Sequence, residues 1–321
     1  MESKLYQERQ QRVKLQFEAD GRVGLFPLLE KATGSVLGGR FILQSLWAAG
    51  RQVFVWRALD QETKRQVIVK QAAFDFRTPL QYSRQDAFQM RQVLRFEHEV
   101  QSNCQTGHMS QPIALLTCDS IIPAAKDSRV LATNEVFSVE EWVEAKPLYE
   151  LALTSTSVPL VEHERRAAQI AGSFVSFWES LYEAGWLYVD VNAYNLMFDV
   201  ETDKLRVVDA GSVLAASPEV VLHGISPAFA TPNLWESVAA KRPLPGSLAL
   251  VLPPLAKVLH FFLTRAEPHN GALPNPAPEN LTAYSKECRE ALAAMLLLDT
   301  SPGKIELAKN AISAWVKAKN A

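Results

Sequence analysis

Three side chains in one short stretch have the types and spacing that moving a phosphoryl group requires. Asp190 stands in the run Tyr188-Val189-Asp190-Val191-Asn192-Ala193-Tyr194-Asn195, with Asn195 five residues on and Asp209, in Val207-Val208-Asp209-Ala210-Gly211, fourteen beyond that. Transfer of a γ-phosphoryl group needs a carboxylate to take the proton of the acceptor hydroxyl, and oxygen ligands to hold Mg2+ on the phosphates. Asp190 is the candidate base. Asn195 and Asp209 are the candidate metal ligands, because Mg2+ is hard and prefers oxygen. The apolar runs Leu196 to Phe198 and Leu205 to Val208 flank the turn Glu201-Thr202-Asp203-Lys204, a pattern that predicts a hairpin bringing Asn195 beside Asp209. Each residue alone also has an ordinary reading, since aspartate and asparagine in loops are most often turn or cap residues.

The segments that would position these side chains can be read along the chain. Val67-Ile68-Val69-Lys70 closes a strand-like run, preceded by Leu46 to Ala58 with Gly50 near its middle. The segment from Gln85 to Gln101 has helical character and contains Phe96-Glu97-His98-Glu99-Val100. A second strand-like run, Val136 to Glu144, leads into Pro147-Leu148. Val161 to Ala184 is helical by pattern and ends at Gly185, a C-cap signal just before the Asp190 loop. Downstream come Phe229-Ala230-Thr231-Pro232-Asn233-Leu234-Trp235-Glu236 and the apolar run Leu248 to Thr264.

Taken in order, these segments resemble the protein kinase family over roughly residues 38 to 318. Y-V-D-V-N-A-Y-N stands for the catalytic loop H-R-D-L-x-x-x-N, D-A-G for the magnesium loop D-F-G, and V-I-V-K for V-A-I-K. Phe229 to Glu236 stands for the A-P-E end of an activation segment, 28 residues long when counted from Asp209 to Glu236. The resemblance implies an α+β, two-lobed kinase-like fold. It comprises an N-terminal helical extension over 1–35, a small β-rich lobe over 36–143 and a larger, mainly helical lobe over 144–321. It further implies Mg-ATP as the phosphoryl donor, with Asp190 as base and Asn195 and Asp209 on Mg2+. Lys70 would lie on the α and β phosphates, positioned by Glu99, with Gly50, Val55, Ile68, Glu141, Val143 and Met197 around the nucleotide. The implied partner is a protein substrate or a regulatory protein.

The departures from the family pattern have physical consequences. Val189 replaces the arginine that pairs with an activation-loop phosphate, and Asn192 replaces a lysine that neutralises the γ-phosphate. Ala48 and Val53 stand where glycines let the backbone approach phosphate, and Ile68 where a small alanine roofs the adenine. Glu140 occupies the back of the expected pocket. The reading of an active protein kinase therefore stands beside that of a pseudokinase, a binding or scaffold protein on the same fold. A third reading is a kinase-like small-molecule phosphotransferase or AMP transferase.

Composition narrows the classes further. At 321 residues with 48% hydrophobic and 21% charged side chains, the chain has the make-up of a soluble globular protein. Its net charge of -2 gives no long-range attraction to nucleic acid or to a membrane surface. Cys104, Cys118 and Cys288 show no C-x-x-C spacing, so neither a disulfide framework nor a zinc site is expected. The polar start Met1-Glu2-Ser3-Lys4 does not read as a secretory signal, and the run Leu248 to Leu263 is too short and interrupted to span a bilayer. A cytoplasmic setting is the expectation.

Overall fold

The computed structural model describes residues 11, 13–19, 22–49, 53–74, 83–104, 106–121, 133–154, 157–222, 225, 226, 228–266, 281–298 and 302–320. Gly50 and residues 122–132 and 267–280 lie outside them. The chain is α+β, with strands concentrated in its N-terminal part and helices in its C-terminal part. It divides into two compact units: Met1–Ser102 with Ser110–Val143, and Asn103–Met109 with Glu144–Ala321.

The first unit is built on an antiparallel sheet of β1 (Val36–Leu37), β2 (Phe41–Ala49), β3 (Val53–Asp60), β4 (Gln66–Ala72), β5 (Pro112–Cys118) and β6 (Glu135–Glu141), in the order β1-β2-β3-β4-β6-β5. Burial alternates along β3, and Phe54, Trp56 and Ala58 turn into the core while Val53, Val55 and Arg57 stay half-buried, as a one-faced strand requires. Short helices over 13–19 (α1) and Phe26–Glu30 (α2) join that core. Phe17 packs on Phe26 and Phe54 at ring separations of 5.8 and 6.0 Å. Asp60 closes the β3–β4 turn: it accepts from the Glu62 amide and the Thr63 hydroxyl and takes a two-pronged bond from Arg40 at 2.8 and 2.7 Å. Helix α3 (Arg84–Asn103) begins at a capping box in which the Asp86 amide donates to Ser83 Oγ and the Ser83 amide to Asp86 Oδ2, both at 3.0 Å.

The second unit is mainly helical, with α4 (Leu148–Thr154), α5 (Leu160–Glu183), α6 (Pro232–Ala239), α7 (Leu252–Thr264), α8 (Lys286–Leu296) and α9 (Pro302–Asn320). Helix α5 buries Ala167, Ile170, Ala171, Phe174, Phe177, Trp178 and Leu181, a stripe of 3.6-residue period, and ends at Gly185 with φ +87°, where the left-handed backbone favours glycine. Pro253 and Pro254 do not break α7 but start it, because the first turn has no use for their missing N–H groups. Glu164 of α5 staples the C-terminal helices: it accepts from Ser285 Oγ, from Trp315 Nε1 at 3.1 Å, and pairs with Lys319 at 2.9 Å. Short strands frame the loops that matter: β7 (Lys146–Pro147), β8 (Trp186–Tyr188), β9 (Leu196–Asp199), β10 (Lys204–Val207) and β11 (Val213–Ala215). Among the described residues no helix is long and apolar enough to cross a membrane.

Candidate functional site

In the second unit, two small antiparallel ladders hold the loops carrying Asp190, Asn195 and Asp209. β9 pairs with β10, with Leu196 opposite Val207, and the Val208 amide donates to the Asn195 carbonyl at 2.9 Å, so the hairpin sets Asn195 beside the residue that precedes Asp209. β8 pairs with β11, with Tyr188 opposite Val213, and thereby anchors both the entry to the Asp190 loop and the exit from Asp209. Tyr188 is wholly buried; its hydroxyl donates to the Asp190 carbonyl at 3.1 Å and its own carbonyl accepts from Trp178 Nε1 at 3.3 Å. The backbone of Asp209 is left-handed, with φ 66° and ψ 68°, a conformation costly for most side chains and least so for asparagine, aspartate and glycine.

Hydrogen bonds join the loop side chains directly. Asn195 Nδ2 donates to the carbonyl and to Oδ2 of Asp190, both at 3.3 Å, which leaves the Asn195 amide oxygen as the group able to meet a hard cation. Asn192 organises the turn: its Oδ1 accepts from the amides of Tyr194 and Asn195 at 2.9 Å, and its Nδ2 donates to Asp190 Oδ2 at 3.1 Å. Ser226 is held on Asp190. Its amide donates to Oδ1 at 2.7 Å and its hydroxyl to Oδ2 at 3.0 Å, with Asn192 Nδ2 donating to the same hydroxyl at 3.0 Å. Nothing in the local sequence marks Ser226, because the contact spans 36 positions. The Asn192 signal was present as an asparagine that can bond its own turn. Met197 lies on β9, half-buried and opposite Arg206. Among the described residues no group of three or more His, Cys, Asp and Glu side chains gathers that could hold a metal by itself. A pair of oxygen ligands nevertheless suits Mg2+, which is commonly bound by one or two protein oxygens completed by phosphate and water.

In the first unit, register places Lys70 opposite Val55 on one side and Ser138 on the other, and Ile68 opposite Arg57 and Glu140. Directly paired residues share a face, so Val55, Ile68, Lys70, Ser138 and Glu140 line one side of the sheet while Phe54, Trp56, Val69 and Val139 fill the other. Glu141 and Val143, at the end of β6 and just beyond it, are half-buried. The lysine is only 7% exposed.

One expected pairing is corrected here. Lys70 bonds Glu97, at 2.5 Å, and not Glu99. The helix period explains the difference: Glu97 shares the buried stripe of α3 with Leu94, Val100 and Gln101, whereas Glu99 falls two residues round the helix and is exposed. Lys70 also pairs with Glu140, at 2.8 Å, a contact the sequence reading did not anticipate. Glu140 is anchored in turn: its Oε2 accepts from Ser110 Oγ at 2.6 Å, and that hydroxyl accepts from Gln101 Nε2 at 3.1 Å. Burial alone would pull the lysine down, but Glu140 and then Glu97 outweigh it, so Lys70 is held firmly protonated, above its ordinary value.

Compared with known proteins, the chain matches no family model, and no curated protein matches its sequence.

Proposed function

We propose that the chain is a Mg-ATP-dependent protein kinase with a two-lobed kinase-like fold, transferring the γ-phosphoryl group to a protein hydroxyl. The observation that carries the proposal is the joined arrangement of Asp190, Asn195 and the Asp209 backbone, in which one carboxylate is oriented by the amide of a candidate metal ligand and the hairpin supplies the second ligand next door. Asp190 already accepts a hydroxyl proton bond, from Ser226, and its Oδ1 takes only the Ser226 amide among the described residues, leaving a lone pair for an acceptor hydroxyl. In the proposed step the acceptor oxygen forms a bond to the γ-phosphorus, its proton passes to Asp190, and the bond from that phosphorus to the β,γ-bridging oxygen breaks to release ADP. Mg2+, when bound through Asn195 and Asp209, would neutralise charge on the phosphates. From the first unit the proposal draws Lys70 for the α and β phosphates, with Glu97 holding it. The free thiols of Cys104, Cys118 and Cys288 agree with the cytoplasmic setting proposed for the enzyme.

Incubation of the purified chain with radiolabelled ATP, Mg2+ and a mixed protein acceptor tests the proposal. Label should pass to protein with wild type and fall at least about a hundredfold with Asp190→Asn, the scale of a lost general base. Equal label with the variant would refute the assignment. A second reading, a pseudokinase that serves as a binding or scaffold protein, is favoured by one observation, the engagement of Lys70 by two carboxylates. Nucleotide binding without any Asp190-dependent transfer would select it.

A further inference from the structure

Lys70 is paired with two carboxylates before any phosphate reaches it. Its ammonium has three protons to give. Glu97 Oε1 takes one at 2.5 Å, and Glu140 Oε1 lies 2.8 Å from the ammonium as an ion partner, all three side chains being buried. The clamp is tied to a single helix, because Gln101, one turn after Glu97 on α3, holds the Ser110 hydroxyl that holds Glu140. The neighbouring His98, with Nδ1 3.4 Å from Ser138 Oγ, is pushed by burial toward its neutral form. The carboxylate of Glu140, already paired with this ammonium, opposes any polyphosphate that approaches it, in surroundings where charge is poorly screened.

We propose that Glu140 sets nucleotide affinity by competing with the nucleotide's phosphates for Lys70. This rests on the reading of Lys70 as a phosphate ligand. A bound nucleotide must displace Glu140 or bind Lys70 beside its carboxylate. Glu140 thus acts as a brake on loading: it assembles the Lys70–α3 pair without ligand and weakens the site for triphosphate. The adenosine part of the ligand bears no such charge and does not feel the brake.

Titration calorimetry of the full chain with Mg-ATP and, separately, with adenosine tests this in wild type, Glu140→Gln and Lys70→Ala. Glutamine keeps an acceptor for Ser110 while removing the charge. Glu140→Gln should bind Mg-ATP at least about tenfold more tightly than wild type and bind adenosine unchanged. Should Glu140→Gln fail to fold, as thermal unfolding would reveal, Ser110→Ala frees the anchored oxygen and should show a smaller gain in the same direction. Mg-ATP binding that depends on Lys70 but is unchanged or weaker in the Glu140 variant would overturn the proposal and leave the kinase reading standing, as would an equal gain for adenosine. Absence of Mg-ATP binding in wild type and variant alike would overturn both.

Discussion

Lys70, Glu97 and Glu140, proposed to serve the nucleotide site, also bear on stability. Removing the lysine leaves two buried carboxylates with their shared counter-charge gone, so Lys70→Met should cost about 3–5 kcal/mol in urea unfolding, the range for breaking a buried ion pair from one side. Exposed Glu99 should behave as ordinary surface, with Glu99→Gln within about 0.5 kcal/mol of wild type. Asp209 makes a different case, a proposed metal ligand whose backbone is left-handed. Asparagine tolerates the left-handed conformation and alanine does not, so Asp209→Ala should lose about 1 kcal/mol of stability while Asp209→Asn loses little, as urea unfolding would measure. At this scale the sequence was partly legible. Residue types and order marked Asp190, Asn195, Asp209 and Lys70 as a set, but choosing Glu97 over Glu99 required knowing which stripe of α3 is buried. The bonds of Glu140 to Lys70 and of Ser226 to Asp190 arise from folding alone.

At the scale of elements, three strands of the first unit are cross-linked by a buried polar chain: Trp56 Nε1 donates to Gln71 Oε1 at 3.0 Å, and Gln71 Nε2 to Glu135 Oε1 at 2.7 Å. Burial pushes the Glu135 carboxyl up to about 7 from 4.5, against the opposing pull of Gln71, Ser120 and Arg91. Between those values the folded protein keeps a proton that the unfolded chain has released, so this group's contribution to stability falls as pH rises through that window and is level above it. The loss should reach about 3 kcal/mol, at 1.36 kcal/mol per unit. Glu135→Gln keeps an acceptor for Gln71 and should remove the dependence; the difference between wild type and variant in urea unfolding at pH 5 and pH 8 checks it. Elements themselves were read well where periodicity is long, as for α5 with its glycine stop, and where a turn separates two apolar runs, as for the β9–β10 hairpin. Short pieces such as β1 and β7, two residues each, carry no period and exist only through their partners.

For the whole molecule, the order of elements along the chain, β-rich and then helical, was legible because strand and helix signals occupy separate stretches. Composition added only the absence of a strong field, a net charge of -2 that gives polyanions no long-range attraction. The account therefore depends on whether the chain binds Mg-ATP through the residues assigned to it. Thermal unfolding of wild type and Asp209→Asn, with and without Mg-ATP, tests this most directly. A ligand at one hundred times its dissociation constant adds about 2.7 kcal/mol, enough to raise the midpoint by a few degrees. The account predicts a rise in wild type that requires Mg2+ and vanishes in Asp209→Asn; an equal rise in both proteins, or none in wild type at millimolar Mg-ATP, would contradict it.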